Sequence, residues 1–438
     1  MTLVQIAGTF RETEYPQEDV RAFDVDGSAY VLIVDGSRVY AVDEDTSALL
    51  RGSFRPEDLE FLGLESRRTI SDTPPFSMPI RSLSLAVAEK CNLGCSYCYA
   101  QQGSFGHEPR SMDREVALEA VSLLFRDAGP RDRVNLSFLG GEPLLNRSLI
   151  RECTELAHRL GQETGIGIGY SITTNGTLLT IEDGEFFEKY GFAVTVSLDG
   201  VGEIHDALRP FRDSHGSYTR IVANVRPLLQ MQCRMQVSAR VTVTPKNLQL
   251  RETLDELLGL GFHSVGFSAM LHAPSGREEM ARNDLDQMLA QMIDCGEEFE
   301  RRTLRGERYA FSNLATAIEQ IHKGTHRPYP CGAGAGYFGV SADGGLYACH
   351  RFVGDPVALF GDVQHGLKPE VQSEWLRARH VHAQTPCSGC WARYLCGGGC
   401  HHEVIHRGRP ACGYIRGWLD FALKVYVRLR RDRPEYFV

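Results

Sequence analysis

The sequence lacks the features of secreted, membrane-embedded and nucleic-acid-binding proteins. Its first residues, MTLVQIAGTFRETEYPQ, contain no basic stretch followed by an apolar one, so a signal peptide is not expected. No run of about 18 apolar residues occurs, so no membrane span is expected either. The net charge of −9 is not typical of a protein that binds nucleic acid. We therefore expect a cytoplasmic protein with no membrane and no nucleic acid among its partners.

Low-complexity tracts are also missing, and no internal repeat is evident. The chain has 438 residues, of which 42% are hydrophobic, so two or three domains with real cores are expected. Cysteine, in contrast, is abundant, with 13 residues. Because cytosolic thiols stay reduced, this number favours metal ligation over a disulfide framework.

Residues 1–70 predict a small N-terminal module. Within it, residues 22–43 alternate apolar and polar residues in three short runs, and Gly27 and Gly36 stand at the turns, which predicts three strands. The stretches DEDTSALLRG and RPEDLEFLGL then predict two short helices with acidic starts. The segment RRTISDTPPFSMPIRS, rich in Ser, Pro and Arg, predicts a linker to the next domain.

Six strand-like runs alternate with helical stretches in the middle of the chain. Helical stretches include residues 113–127 and 148–161. This alternation predicts an α/β fold of parallel βα units, whose ligands gather at the carboxyl ends of the strands. The predicted strands are residues 83–88, 134–139, 168–173, 192–198, 235–243 and 264–269.

Three cysteines follow the first of these strands in the sequence CNLGCSYCYA, residues 91–100. Cys91, Cys95 and Cys98 could hold three corners of a cubane iron–sulfur cluster, which leaves the fourth iron without a protein ligand. An α-amino acid could chelate that iron through its amino and carboxylate groups. A zinc half-site, disulfides and ordinary buried cysteines are the alternatives that the spacing leaves open.

The pattern Cys-x3-Cys-x-aromatic-Cys after a first strand resembles that of the radical S-adenosylmethionine superfamily. The resemblance implies a partial (β/α)6 barrel of the TIM type over residues 79–305. It also implies a [4Fe-4S] cluster that reduces S-adenosyl-L-methionine to a 5′-deoxyadenosyl radical, so that the cofactor carries the difficult chemistry. A flavodoxin or ferredoxin is the implied electron donor.

Further segments resemble the motifs with which this superfamily contacts S-adenosylmethionine. GGEP resembles the segment that meets the methionine amino group, where glycines allow close approach to the ligand. Tyr97 resembles the residue that packs on the adenine, Ser197 a ribose or carboxylate contact, and Arg240 the partner of the methionine carboxylate. An arginine in an apolar strand is expected to have a buried partner; a strand-to-helix turn at GGEP and an arginine at the sheet rim are the alternatives. The implied contacts are Tyr97, Gly140, Gly141, Glu142, Pro143, Asn175, Ser197 and Arg240.

Seven cysteines in residues 306–438 resemble the SPASM extension of this superfamily. The resemblance implies a SPASM domain with two auxiliary [4Fe-4S] clusters, three clusters in all, although the spacing alone also fits a pair of zinc ribbons. The remaining cysteines, Cys153, Cys233 and Cys295, are expected to be small buried residues. The implied outer ligands are Cys387, Cys390, Cys396 and Cys412, and the implied inner ligands are Cys331, Cys349 and Cys400.

The inner set has only three cysteines, so we expect one iron of that cluster to be open. A substrate thiolate could occupy the open position, unless His350 or a distant residue fills it. This is the reason to expect thioether formation, because a carbon–carbon bond needs no thiol.

SPASM enzymes mostly modify peptides and proteins, so the resemblance implies a precursor peptide or protein substrate with a leader. The N-terminal module resembles a winged-helix peptide-recognition element, which takes a leader as an added strand; a capping subdomain is the alternative. Residues 99–112, 205–218 and 390–403 resemble maturases that form thioethers in six-cysteine SCIFF peptides or in quinohemoprotein amine dehydrogenase. We therefore expect thioether crosslinking of a cysteine. Carbon–carbon or carbon–oxygen crosslinking, sulfatase-type oxidation and a non-enzymatic peptide-binding or sensing module are the alternatives.

Overall fold

A computed structural model describes residues 19–52, 56–64 and 70–437 of the chain. The first part of the predicted 1–70 module and part of the predicted linker lie outside the described residues. Among the helices of the described part, none combines the length and the apolar character that crossing a bilayer requires.

The N-terminal module is a three-stranded antiparallel sheet followed by two short helices, as predicted. Val31 and Ile33 pack in a small core of their own with residues of the two helices. Phe23 and Leu32 instead belong to the main core of the protein. The sheet is therefore packed on both faces and docks firmly on the rest of the chain. Its elements are β1 (Val20–Val25), β2 (Ser28–Ile33), β3 (Arg38–Val42), α1 (Glu44–Arg51) and α2 (Pro56–Phe61).

The middle of the chain builds a sheet of six parallel strands whose spatial order is their order in the sequence. Each of the six lies within a few residues of a predicted strand, so the prediction of parallel βα units is confirmed. The elements are β4 (Ser82–Glu89), β5 (Arg110–Ser111), α3 (Arg114–Arg126), β6 (Arg133–Gly140), α4 (Arg147–Thr164), β7 (Gly167–Thr174), α5 (Ile181–Tyr190), β8 (Ala193–Ser197), α6 (Glu203–Leu208), α7 (Tyr218–Met231), β9 (Gln236–Val243), α8 (Leu250–Gly259), β10 (Val265–Ala269), α9 (Arg282–Leu304) and α10 (Ser312–His322).

The tail of the chain extends this sheet beyond its first strand. β11 pairs in parallel with β4, and the three following strands continue antiparallel from it. β4 and β10, the outer strands of the parallel set, do not pair with each other, so the sheet is open as expected for a partial barrel. The elements are β11 (Tyr337–Val340), β12 (Gly345–Tyr347), β13 (Leu359–Asp362), β14 (Gly366–Leu367), α11 (Pro369–Arg379), α12 (Arg393–Cys396), α13 (His401–Arg407) and α14 (Cys412–Asp432).

The two faces of the parallel sheet differ in polarity. On β6, Val134, Leu136 and Phe138 are fully buried in the main core. The alternate residues Asn135 and Ser137 line a polar cavity of about 490 Å³ near the amino ends of the strands. Because successive side chains of a strand point to opposite faces, one face packs against the helices and the other leaves space for a ligand.

Candidate cofactor site

The three-cysteine loop begins directly after β4 and is held by the segment that follows α6. The Gly94 amide donates to the Pro210 carbonyl at 2.8 Å, and Leu93 pairs with Phe211 in an isolated β-bridge. Cys95 is buried, whereas Cys91 and Cys98 are partly buried. The three thiols lie in an apolar cluster with Leu93, Tyr97, Leu208 and Met270. Burial raises the pKa of the Cys95 thiol to about 12, so a metal would have to displace its proton on binding.

The two glycines of GGEP bring the end of β6 against the backbone of this loop. The Gly141 amide donates to the Ala88 carbonyl at 2.8 Å and the Glu142 amide to the Lys90 carbonyl at 2.9 Å. Gly140 has φ +140°, and a Cβ there would lie 2.3 Å from the Ala88 oxygen. These glycines thus allow a close approach to the protein's own backbone, and the expected approach to the cofactor stays a prediction. Pro143, which follows Glu142, is buried and begins a 3₁₀ turn.

Glu142 joins the ends of the second and third parallel strands. Its fully buried carboxylate accepts hydrogen bonds from Thr174 Oγ1 (2.7 Å), the Asn175 amide (2.7 Å) and the Leu144 amide (3.1 Å). Burial raises the pKa of Glu142, and the three donors only partly offset that effect. Asn175 Nδ2 in turn lies 3.7 Å from Cys91 Sγ. GGEP and TTNG therefore form one buried network that contacts the first cysteine of the loop.

Ser197 and Arg240 are cross-strand partners at the carboxyl end of β8 and within β9. The Arg240 guanidinium donates to Ser268 Oγ on β10. Arg240 is exposed and Ser268 is partly buried, and the expected pairing of Arg240 with the methionine carboxylate stays a prediction. Surrounding protein and the charge of Arg351 nevertheless lower its pKa. Because the side chain is exposed, the charge of Arg240 is accessible to an anionic ligand.

Sequence reasoning assigned no role to two charged residues of the site, Asp199 and Arg209. Tyr97 Oη donates to Asp199 Oδ2, and Arg209 Nη1 donates to Tyr97 Oη at 2.8 Å. The Thr242 amide donates to the other Asp199 oxygen at 2.7 Å. Tyr97, expected to pack on the adenine, therefore has its hydroxyl fixed by a buried ion pair. The sequence feature that pointed to Asp199 is its position two residues after β8, whose last residue, Ser197, is an expected cofactor contact.

The outer cysteines of the tail surround a cavity of about 550 Å³. Among the described residues, no three His, Cys, Asp or Glu side chains converge as the ligands of a single metal ion would. The cysteines that line this cavity are Cys387, Cys390, Cys396, Cys412 and, from the inner set, Cys400.

The inner cysteines lie where the tail meets the barrel. Burial, together with the charges of its neighbours Cys400 and Cys331, raises the pKa of Cys349 to about 12. The adjacent His350 is 2.7 Å from Tyr337 Oη through Nδ1, and its ring contacts Tyr99 of the first loop with 5.7 Å between centroids. The contact between the rings of His350 and Tyr99 thus connects the inner set to the three-cysteine loop.

The other cysteines are remote from these motifs. Cys153 in α4 and Cys295 in α9 are fully buried, as expected. Cys233 is exposed, so the expectation that it is buried is wrong. α7 ends at Met231, and Cys233 lies in the surface turn that leads to β9.

Comparison with known proteins places these observations in a family. The family model described as Radical SAM superfamily matches residues 85–258. The chain is 25% identical over 365 residues to the serine-type anaerobic sulfatase-maturating enzyme of Klebsiella aerogenes, which covers 79% of this chain and 86% of the relative.

Two solved structures share the fold. Native anSMEcpe with bound AdoMet and Cp18Cys peptide has a TM-score of 0.65 at 19% identity and covers 81% of this chain and 99% of that chain. Streptococcus suis SuiB bound to its precursor peptide SuiA has a TM-score of 0.53 at 15% identity and covers 90% and 97%. A match over 90% of the chain is longer than residues 71–438, so it includes part of the N-terminal module.

Proposed function

The chain belongs to the radical S-adenosylmethionine superfamily and is an enzyme, and we propose that it modifies a side chain of a ribosomally made peptide or protein. Radical S-adenosylmethionine enzymes use a [4Fe-4S] cluster and S-adenosylmethionine. The observation that carries the proposal is the grouping of the motif cysteines in the loop after β4, around the cavity of the tail, and where the tail contacts the first loop. The relatives named as maturating enzymes support the substrate class.

The donor chemistry of the site fits the proposed cofactors. Cys91, Cys95 and Cys98 would hold the first cluster, and the two tail sets would hold one cluster each. When bound, the first cluster supplies the electron that cleaves the sulfonium of S-adenosylmethionine and so provides a hydrogen-abstracting radical. A flavodoxin or ferredoxin would supply electrons to the enzyme. We propose residues 79–305 as the radical S-adenosylmethionine barrel and residues 306–438 as the SPASM domain.

The side chains and backbone at the strand ends would orient S-adenosylmethionine. Arg240 offers a cation for the methionine carboxylate, and Ser197 lies beside it in the sheet register. The backbone of the GGEP segment would accept the methionine amino group, since the Glu142 carboxylate already receives three internal donors. Tyr97 would pack on the adenine, with its hydroxyl fixed by Asp199 and Arg209.

We propose thioether crosslinking of a substrate cysteine as the reaction. The inner set contains three cysteines, and the other described cysteines lie in α4, in α9 and in the turn after α7. One coordination position beside the barrel is therefore left for a substrate thiolate, whose pKa a metal lowers below its free value of about 8.5. Sulfatase-type oxidation of a serine or cysteine is the second candidate, because the curated relatives include enzymes of that name.

Co-expression with a short cysteine-containing peptide encoded beside the enzyme tests the reaction. A thioether removes two hydrogens and protects the cysteine from alkylation, whereas a carbon–carbon crosslink removes two hydrogens and leaves the cysteine reactive. Sulfatase-type oxidation creates an aldehyde that a hydrazide probe captures. Tandem mass spectrometry distinguishes the three products. Cleavage of S-adenosylmethionine without modification of any candidate peptide or protein would contradict the proposed substrate class.

We propose that residues 1–70 recognise a leader through the open edge of β3, residues 38–43. Of the described strands, only β2 pairs with β3. The Val34 amide donates to the Asp19 carbonyl on the β1 side. Because hydrogen-bonding direction alternates along a strand, Val31 and Ile33 then face β3 and bond with Tyr40 and Arg38. Val39 and Ala41 are left with backbone groups that point to the free edge, where an added strand can bind.

Replacing Ala41 with proline should therefore weaken leader binding without disturbing the β2–β3 ladder. One lost hydrogen bond is worth about 0.5–1.5 kcal/mol, so the apparent affinity for the full precursor should fall about 2- to 12-fold. S-adenosylmethionine cleavage without peptide should be unchanged. Ala41→Thr keeps the amide donor and serves as the control in a binding titration. Equal affinity of the proline and threonine variants would refute this docking edge.

A further inference from the structure

The segment of residues 205–218 forms a rigid turn around Arg209. His205 Nδ1 accepts from the Asp199 amide at 3.1 Å, and His205 Nε2 lies 3.0 Å from Ser217 Oγ. Ser217 Oγ donates to the Arg209 carbonyl at 2.6 Å. Burial lowers the pKa of His205 to about 3, so the ring is neutral. Its two nitrogen atoms connect the Asp199 backbone to Ser217. This continuous series of contacts fixes the backbone of Arg209 relative to the end of β8.

This turn also packs against the three-cysteine loop. The residues directly after Arg209 pair with Leu93 and Gly94 of that loop. The Arg209 side chain is only 12% exposed, and Asp199 beside it is fully buried, with 3.4 Å between Nη1 and Oδ2. Among the described residues, Arg209 Nε is buried without a hydrogen-bond partner. One donor of a buried cation is therefore available next to the cysteine loop.

The charges around Arg209 are those of the cysteines themselves. Burial lowers the pKa of Arg209, but the charges of Cys95, Asp199, Cys91 and Cys98 outweigh it and raise the pKa above the ordinary value. A single guanidinium therefore lies close enough to interact electrostatically with all three cysteines of the loop and with one carboxylate. In a buried site such charges interact more strongly than they would in water.

We propose that Arg209 and Asp199 are a buried charge pair that sets the reduction potential of the cluster held by Cys91, Cys95 and Cys98. This inference rests on the proposed function, because it requires a cluster at those cysteines. Reduction adds one electron and so one negative charge, which a neighbouring cation stabilises and a neighbouring carboxylate destabilises. Net charge and hydrogen bonds to the sulfurs are among the factors that set iron–sulfur potentials. Arg209 therefore favours the reduced form, and Asp199 opposes it.

The test compares substitutions that change the charge of the pair in opposite directions. The midpoint potential of the first cluster is measured in the reconstituted holoenzyme by a redox titration followed by electron paramagnetic resonance. Its signal is assigned by its change on addition of S-adenosylmethionine. Arg209→Met should shift the potential to more negative values and Asp199→Asn to more positive values, whereas Arg209→Lys should stay close to the parent. Arg212→Met, on the same segment but with an exposed side chain, is the matched control.

Opposite shifts in the two variants support the proposal, because a merely structural role would disturb both variants alike. Unchanged potentials, or shifts in one direction, would overturn it. If Arg209→Met loses its cluster, the direction of the Asp199→Asn shift decides the question. Failure of the proposed function looks different, since the parent protein would then show no signal that depends on Cys91, Cys95 and Cys98.

Discussion

Replacing Cys91, Cys95 and Cys98 together with alanine is expected to abolish cleavage of S-adenosylmethionine. The iron content should fall from about twelve to about eight per chain, because one cubane of three is lost while the tail sets keep theirs. The tail cysteines belong to other loops, and the outer ones surround their own cavity. After anaerobic reconstitution, iron analysis and absorption spectroscopy measure the loss of the cluster. Chromatography of 5′-deoxyadenosine measures the loss of cleavage.

Cys233→Ser is the matched control for this prediction, because Cys233 is exposed in the turn after α7. It should retain the full iron content and full cleavage activity. Zinc in place of iron in the anaerobically purified parent protein, or an unchanged iron content in the triple variant, would contradict the assignment of these cysteines.

The parallel barrel could be predicted from the sequence because its strands are buried and short, and because helices separate them. The six predicted runs match the observed strands within a few residues. β11 to β14 could not be predicted in the same way. They are two to four residues long, and β11 is held in place by pairing with β4, some 250 positions earlier in the chain. No local pattern contains that information.

The site shows the same division between local and distant information. The motifs singled out Glu142 and Asn175, which follow strand ends, Tyr97 in the loop after β4, and Arg240 within β9. The role of Arg209 depends on the contact between two loops that are more than 100 positions apart. Burial of Cys233 failed because the turn before β9 lies on the surface.

The close contact of Gly141 with the cysteine loop predicts the effect of the smallest possible substitution. A Cβ at Gly141 would lie 2.3 Å from the Lys90 carbonyl oxygen and 2.6 Å from the Gly103 Cα. Both neighbours are backbone atoms, so neither can move aside by a side-chain rotation. Gly141→Ala should therefore push the end of β6 away from Cys91 and displace the segment that we propose orients S-adenosylmethionine. A displacement of about 1 Å in a reacting geometry can cost about a hundredfold in rate, and we expect a loss of cleavage of that size.

Gly259→Ala provides the control, because a Cβ at this end of α8 meets nothing within 4 Å. It should leave the cleavage rate unchanged and stabilise the helix by up to about 1 kcal/mol. Both variants are compared by the initial rate of 5′-deoxyadenosine formation at matched iron content and by thermal unfolding. A cleavage rate for Gly141→Ala within twofold of the parent would show that the backbone at Lys90 and Gly103 can move to accommodate the added methyl group. The tight backbone contact would then not be what orients the cofactor, and that task would rest on the buried network of Glu142 and Asn175.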